Sequence, residues 1–235
     1  MSRIPGYHIR ILVATVTMSV VAMAGLAFLY NNSKLMNEIP YDNHDSKPSN
    51  TTVSEGVTIL YPADYRYTDG DAVVVIDIGN ASEYKSESSF EMLRGVAVQA
   101  QKLSSDGISV VCISRGTAGS DEMNHFLNEN ECCMYIALKA SSGEATTAYY
   151  NDTYFIPGLN SVTLADTLEK NELAALGGHG KLVRTDDELI LNMTVPAAAV
   201  TIGNEGAFDS MEEYTRYAAD ALNESIDTAL NTLRL

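Results

Sequence analysis

The chain has 235 residues, of which 15 are basic and 31 acidic, and its formal net charge at pH 7 is −16. The first 30 residues hold Arg3 and Arg10 and no acidic residue, so the remainder carries 13 basic residues against all 31 acidic ones. A domain of this charge repels the phosphate backbone, which excludes nucleic acid as a partner. The hydrophobic content of 46% is typical of a folded protein.

The first predicted element is a transmembrane helix. Residues 11–30, ILVATVTMSVVAMAGLAFLY, contain no charge, and a helix of that length crosses a bilayer core of about 30 Å. Because Arg3 and Arg10 precede it, the positive-inside rule places residues 1–10 in the cytoplasm and the rest outside. The alternative is a signal peptide cleaved near Ala24, at the end of an Ala-Met-Ala sequence. The apolar run continues six residues beyond that point, which favours an uncleaved, single-pass anchor in the cell membrane.

A flexible linker is predicted next. Residues 31–56 are rich in Asn, Ser, Thr and Pro and have no periodic apolar pattern, which is typical of a coil that tethers a domain near a membrane. We therefore expect one folded extracytoplasmic domain over residues 57–235.

Predicted strands and helices alternate in this domain. Short apolar, often β-branched runs predict strands, and apolar residues at three- and four-residue spacing predict helices. The predicted strands are 73–78, 108–113, 133–138, 144–150 and 196–202, and the predicted helices are 90–103, 121–130, 164–176 and 211–233. This order predicts an α/β fold, a three-layer sandwich with a largely parallel central sheet. In such sheets, sites form beyond the carboxyl ends of the strands.

Several of these segments carry a resemblance to a known family. They are VVVIDIGN (73–80), EMLRGVAVQAQKLSSDGISVVCISR (91–115), NENECCMYIALKASSGEATTAYY (128–150), VPAAAVTIGN (195–204) and SMEEYTRYAADALNESIDTAL (210–230). In order and spacing, including the strand that closes with an Arg, they resemble the zinc-dependent N-acetylmuramoyl-L-alanine amidases of the Amidase_3 type. The resemblance implies an amidase-like fold and a connection with bacterial peptidoglycan, whose glycan–peptide bond those enzymes cut.

The resemblance also implies a set of site positions at which this chain departs from the family. The family holds zinc with a His after the first strand, a Glu at the start of the first helix and a His ending the third strand, and a Glu on the last strand is the general base. On this sequence those positions are Asn80, then Ser88 or, with a one-residue shift, Glu87, then Leu138 and Thr201. Because Asn80 is a poor zinc ligand and Leu138 is none, we expect that the zinc site and the catalytic base are lost.

Other residues offer no replacement for that site. His125 and His179 belong to no spaced metal motif and are expected to be solvated, His125 on a helix and His179 in a flexible loop. The three cysteines, Cys112, Cys132 and Cys133, lack C-x-x-C spacing and are expected to be reduced core residues.

A possible ligand cleft is predicted from the polar and aromatic residues at the strand ends. It would contain Asp77, Asn80, Glu87, Tyr149 and Tyr150. Asp77 has an alternative role as a structural cap, and the two tyrosines have an alternative role in packing.

The leading functional hypothesis is a membrane-anchored, catalytically inactive amidase-like domain that binds peptidoglycan or an envelope protein. Two alternatives stay open: an active amidase with rearranged ligands, and a structural envelope protein that shares only the fold. If the resemblance holds, Asn80, Glu87 or Ser88, Leu138 and Thr201 should converge at one edge of the sheet.

Overall fold

The structure, a computed structural model, describes residues 56–60, 72–84, 86–141, 143–152 and 160–233. Its strands are β1 Thr58–Ile59, β2 Ala72–Asp77, β3 Ile108–Ser114, β4 Cys132–Ala140, β5 Ala145–Tyr150, β6 His179–Arg184 and β7 Ala197–Ile202. Its helices are α1 Glu87–Lys102, α2 Ser120–Glu129, α3 Ser161–Leu176, α4 Glu188–Leu191 and α5 Met211–Leu233.

The predicted transmembrane segment, 11–30, lies outside the described residues, and so does all of the predicted linker, 31–56, except its last residue. Within the described residues, none of the helices combines the length and the apolar character that crossing a bilayer requires.

The strands form one mixed sheet in the order β1-β3-β2-β4-β7-β5-β6. The four central strands, β3, β2, β4 and β7, are parallel, which confirms the predicted largely parallel centre. β1 is antiparallel to β3, and β5 is antiparallel to β7 while it pairs in parallel with β6. The carboxyl ends of the four central strands therefore lie together, and we call this side of the sheet the carboxyl edge.

Helices cover both faces of the sheet, as a three-layer α/β sandwich requires. α1, α3 and α5 pack on one side, here called the three-helix face, against alternate strand residues such as Val74 and Ile76. α2 and α4 pack on the other side, the two-helix face, against the residues between them, such as Val73 and Val75. Because strand side chains alternate in direction, Asp77 at the end of β2 belongs to the two-helix face.

The first helix shows how local sequence sets an element of this fold. Ser86 is its N-cap, and the hydroxyl of Ser86 accepts a hydrogen bond from the Ser89 backbone N–H at 3.3 Å. Its buried stripe contains Leu93, Val96 and Ala100, which confirms the predicted apolar face. The helix begins three residues earlier than predicted, because its first turn consists of polar residues that extend no apolar pattern.

Three elements depart from the sequence prediction, and the first is strand β1, Thr58–Ile59, which lies where no strand is predicted. The expected flexible loop around His179 is wrong, since His179 is the first residue of strand β6. All but one of its residues are exposed and, among the described strands, it pairs only with β5, so its sequence has no apolar alternation. The one-turn helix α4 was also missed; it begins after Asp187, whose side chain accepts a hydrogen bond from the Leu189 N–H at 3.0 Å.

The packing of α3 includes a buried acid. Glu172 lies in the core-facing stripe of α3 between Leu168 and Leu176 and is 0% exposed. Among the described residues, neither of its carboxylate oxygens has a hydrogen-bond partner, and the buried hydroxyl of Tyr214 on α5 also lacks one. Burial raises the pKa of Glu172 well above its usual range, because an apolar environment disfavours the charged form.

We predict that Glu172→Met stabilises the protein, by about 1–3 kcal/mol, since it removes an uncompensated buried polar group. The folded-state pKa of Glu172 lies above the unfolded value of about 4.3. Its contribution to stability is therefore fully present below about pH 4 and is lost as the pH rises through the folded-state pKa. The stabilisation by Glu172→Met should consequently be larger at pH 8 than at pH 5.5, as measured by urea unfolding of the full chain.

The matched control for this prediction is Glu224→Met, which replaces an exposed glutamate of α5. It should change the free energy of unfolding by less than about 0.5 kcal/mol at either pH. A Glu172→Met protein that is less stable than the parent at pH 8 would contradict the assignment of Glu172 as an unpartnered buried acid.

Candidate functional site

Asp77 is the most extensively bonded side chain at the carboxyl edge. It is fully buried, and its Oδ1 accepts hydrogen bonds from the backbone N–H groups of Gly79 at 2.8 Å and Arg115 at 3.2 Å. Its Oδ2 accepts from Arg115 Nη1 at 3.0 Å and from the Tyr135 hydroxyl at 2.6 Å. Both oxygens are occupied within the protein, so Asp77 is the structural cap of the strand end.

Arg115 connects Asp77 with the turn that follows β2. Its side chain is 16% exposed, and its Nη2 lies 2.7 Å from Glu83 Oε1. Burial by itself would lower the pKa of Arg115, but the charge of Asp77, followed by Tyr135 and Glu83, outweighs burial and raises that pKa. The guanidinium is therefore a permanent cation between two carboxylates. Sequence reasoning noted Arg115 only as a strand-closing residue and missed Glu83.

Asn80, the position of the first His in the resembled family, is engaged locally. Its Nδ2 donates to the Gly116 carbonyl at 3.0 Å, and its Oδ1 accepts from the Ser82 N–H at 3.1 Å. Asn80 thereby caps the short 3-10 turn Ala81–Glu83. The Oδ1 bond stabilises the turn after β2, and the Nδ2 bond links that turn to the turn after β3.

Glu87 and Ser88 do not join this cluster. Both are exposed in the first turn of α1. The Ser88 hydroxyl lies 3.0 Å from the Ser86 hydroxyl, and no hydrogen bond or ion pair within the described residues links Glu87 or Ser88 to Asp77 or Asn80.

Leu138 and Thr201 lie at the same edge of the sheet but on opposite faces. Leu138 is 1% exposed and belongs to the core of the three-helix face. The register partner of Thr201 on β4 is Lys139, and paired residues of neighbouring strands point to the same face. The residue that joins Thr201 on the two-helix face is therefore Lys139, which was not among the residues predicted from the sequence.

An open cleft of about 260 Å³ lies on the two-helix face beside Thr201. Its lining consists of a cation, a carboxylate, three hydroxyl side chains and two apolar residues: Lys139, Asp187, Thr185, Thr201, Tyr149, Ile190 and Ala199.

Lys139 and Asp187 form an ion pair in this cleft. Lys139 Nζ lies 3.1 Å from Asp187 Oδ2, and both side chains are 36% exposed. Burial tends to raise the pKa of Asp187, but the hydrogen bond and charge of Lys139, with the Leu189 N–H, outweigh burial and lower that pKa. Asp187 is therefore a carboxylate at neutral pH, and Lys139 is its counter-charge.

The predicted tyrosine pair is divided between the two faces of the sheet. Tyr149 lines the cleft, whereas Tyr150, the next residue of β5, packs against the core of the three-helix face. Of the five residues expected to form a ligand cleft, only Tyr149 lines this one.

The remaining histidines and cysteines take no part in this site. His125 is 68% exposed on α2 and pairs with Glu129 at 3.1 Å, as expected for a solvated helical histidine, and His179 is exposed on β6. Cys112 and Cys132 are buried and Cys133 is half-buried, which confirms their placement in the core.

The residues at the carboxyl edge do not fit a zinc ion. Zinc in proteins takes thiolate, imidazole and carboxylate ligands. The side chains present here are an amide, an ammonium, hydroxyls and three carboxylates, and the carboxylates are already paired, Asp77 and Glu83 with Arg115 and Asp187 with Lys139. In the part of the chain that the structure describes, no three His, Cys, Asp or Glu side chains lie together as a possible metal site.

No protein-family model matches the sequence, and no curated protein matches it either. Solved structures, in contrast, match this chain. The catalytic domain of CwlV, an N-acetylmuramoyl-L-alanine amidase from Bacillus (Paenibacillus) polymyxa var. colistinus, is 16% identical with a TM-score of 0.55, over 68% of this chain and 99% of that chain. The N-acetylmuramoyl-L-alanine amidase AmiC2 of Nostoc punctiforme is 14% identical with a TM-score of 0.55, over 70% and 99%.

A third similar structure is the CwlD amidase from Clostridioides difficile, solved in complex with the GerS lipoprotein. It is 11% identical with a TM-score of 0.51, over 68% of this chain and 99% of that chain. At these identities the likeness establishes the fold, which is that of amidase catalytic domains, and confirms the fold implied by the resemblance.

We predict that Asp77→Asn lowers the free energy of unfolding by about 3 kcal/mol, because it leaves the largely buried Arg115 guanidinium without its main counter-charge. Tyr135→Phe should cost about 1–2 kcal/mol through the lost hydrogen bond to Asp77. Urea unfolding of the full chain, followed by circular dichroism, measures both effects.

The control is Asp152→Asn, which breaks the exposed ion pair between Asp152 and Arg184 at 3.1 Å. Exposed pairs contribute about 0–1 kcal/mol. If Asp77→Asn costs no more than Asp152→Asn, the buried network does not stabilise the carboxyl edge.

Proposed function

We propose that this chain is a membrane-anchored, extracytoplasmic amidase-like protein that binds peptidoglycan without hydrolysing it. The observation that supports the proposal best is the Lys139–Asp187 ion pair at the carboxyl edge of an amidase fold. This edge is where sites of α/β sheets form. Here it presents an internally neutralised charge pair instead of metal ligands.

The position of the second family His can be assigned to Lys139 instead of Leu138, and this assignment supports the proposal. The family reads Ser-Ile-His-Ala-Asn at the end of its third strand, and residues 137–141 read Ala-Leu-Lys-Ala-Ser. A one-residue shift from Leu138 places Lys139 at the position of the second His, in agreement with its pairing with Thr201 at the position of the Glu. On this alignment Asn80, Lys139 and Thr201 replace both imidazoles and the general base.

The chemistry of these replacements argues against hydrolysis. A catalytic zinc lowers the pKa of its bound water from about 16 to about 7, and an ammonium that is hydrogen-bonded to a carboxylate supplies no such coordination. Thr201 carries no group that accepts a proton from water at neutral pH. What the residues of the cleft do supply is hydrogen-bond donors and acceptors for a polar ligand.

The proposed location outside the cytoplasm is inferred from the sequence of residues 1–56. An uncharged apolar segment preceded by Arg3 and Arg10 supports a single-pass anchor with the domain outside the cytoplasm, and residues 31–56 would tether the domain within reach of the cell wall.

An envelope protein is the second candidate partner. The amidase CwlD was solved with a lipoprotein bound to it, which makes a protein ligand a reasonable alternative for an amidase fold without hydrolytic residues.

The test combines three measurements on the purified full chain. We expect it to cosediment with purified sacculi, to release no stem peptides from them with or without added zinc, and to show the same melting temperature before and after chelator treatment. The melting temperature should not depend on metal because, within the described residues, no three His, Cys, Asp or Glu side chains lie together as a possible metal site in either core.

Stoichiometric zinc in elemental analysis, together with stem-peptide release that chelator abolishes, would show an active amidase and refute the proposal. Failure to cosediment with sacculi would refute peptidoglycan binding and favour the protein partner.

A further inference from the structure

We infer that the cleft on the two-helix face binds a single uncharged sugar unit, through Lys139, Asp187, Thr201 and Tyr149 and without a metal. This inference rests on the proposed binding of peptidoglycan, and it names the part of the polymer that enters the cleft: the glycan and not the charged stem peptide.

Two hydroxyl groups in the cleft are available to a ligand. Among the described residues, neither the Thr201 nor the Tyr149 hydroxyl makes a hydrogen bond, although both line the cleft. Tyr149 pairs with Ala199, and Thr201 pairs with Thr147, so Tyr149 and Thr201 are diagonal neighbours on one face of an antiparallel pair. Such neighbours lie about 7–8 Å apart. Each hydroxyl can donate and accept, as recognition of a ring with several hydroxyls requires.

The ion pair in the cleft favours an uncharged ligand. The Lys139 ammonium and the Asp187 carboxylate neutralise one another, and both are partly exposed, so they offer further donor and acceptor capacity without a net charge. The exposed acids Asp186 and Glu188 flank Asp187 in sequence, but neither lines the cleft. Because the paired Lys139 and Asp187 leave no net charge to attract an ionic ligand, the lining favours an uncharged polar ligand.

The lining and the size of the cleft suit a sugar ring. Ile190 and Ala199 form an apolar part of the lining, and the half-buried ring of Tyr149 adds an aromatic surface. Sugars present both apolar C–H faces and hydroxyls, and this lining complements both. The volume of about 260 Å³ lies below the range of about 300–1,000 Å³ for drug-sized ligands, so the cleft suits one ring and not an extended glycopeptide.

The experiment titrates the full chain with two probes by isothermal calorimetry: an uncharged tetramer of N-acetylglucosamine, and a free, carboxylate-bearing stem peptide. We expect the tetramer to bind and the peptide not to bind at the same concentrations. Thr201→Val, which keeps the side-chain shape, and Tyr149→Ala should each weaken tetramer binding at least tenfold. Tyr149→Phe, which keeps the ring, should weaken it less than Tyr149→Ala.

The matched controls are Thr228→Val and Tyr217→Ala on α5, which packs on the three-helix face; both residues are exposed. They should leave tetramer binding unchanged, and melting temperatures of all variants verify that they are folded.

The outcomes separate the two proposals. Sacculus binding without tetramer binding, or tetramer binding that Thr201→Val and Tyr149→Ala leave unchanged, overturns the sugar site while peptidoglycan binding stands. Tetramer binding that both variants weaken, in a chain that does not cosediment with sacculi, supports the sugar site and refutes the proposed function.

Discussion

The carboxyl edge depends on one buried interaction, the carboxylate of Asp77 with the guanidinium of Arg115. Burying a charge costs several kcal/mol unless it is paired and hydrogen-bonded, and Asp77 meets this requirement with two backbone N–H groups, Arg115 and the Tyr135 hydroxyl. These partners come from the ends of β2 and β3 and from β4. This network therefore fixes the ends of β2 and β3 relative to one another and to the interior of β4, and it directs the turn that carries Asn80.

A second ion pair, Lys139 with Asp187, lies across the edge on the same face. In both pairs the chain itself supplies the counter-charge, and Arg115 also pairs with a second carboxylate, Glu83. We propose that Lys139 supplies here the positive charge that zinc supplies in the resembled family. The side chains of Asn80, Lys139 and Thr201 offer hydrogen-bonding groups for a ligand, and none of the three is an imidazole.

The central elements were predictable from the sequence because their patterns reflect burial. The apolar run of β2 and the buried stripe of α1 are dictated by the core on both sides of the sheet. β6 was not predictable, because an exposed edge strand has no such pattern. The site was harder to predict. Because side chains alternate along a strand, Leu138 and Lys139 lie on opposite faces of the sheet, and only the pairing of β4 with β7 shows that Lys139 is the one that shares a face with Thr201. The partners Asp77 and Arg115, and Lys139 and Asp187, are distant in sequence and meet only in the fold.

The proposed role of Lys139, paired with Asp187, is to supply the positive charge at the position where the resembled family holds a metal. Anomalous diffraction at the zinc absorption edge, on crystals of the full chain grown with zinc, tests this role. We expect no anomalous peak within coordination distance of Asn80, Lys139 or Thr201, and a Lys139 Nζ–Asp187 Oδ2 separation near 3.1 Å. A peak among these residues, with the Lys139–Asp187 pair broken, would refute it.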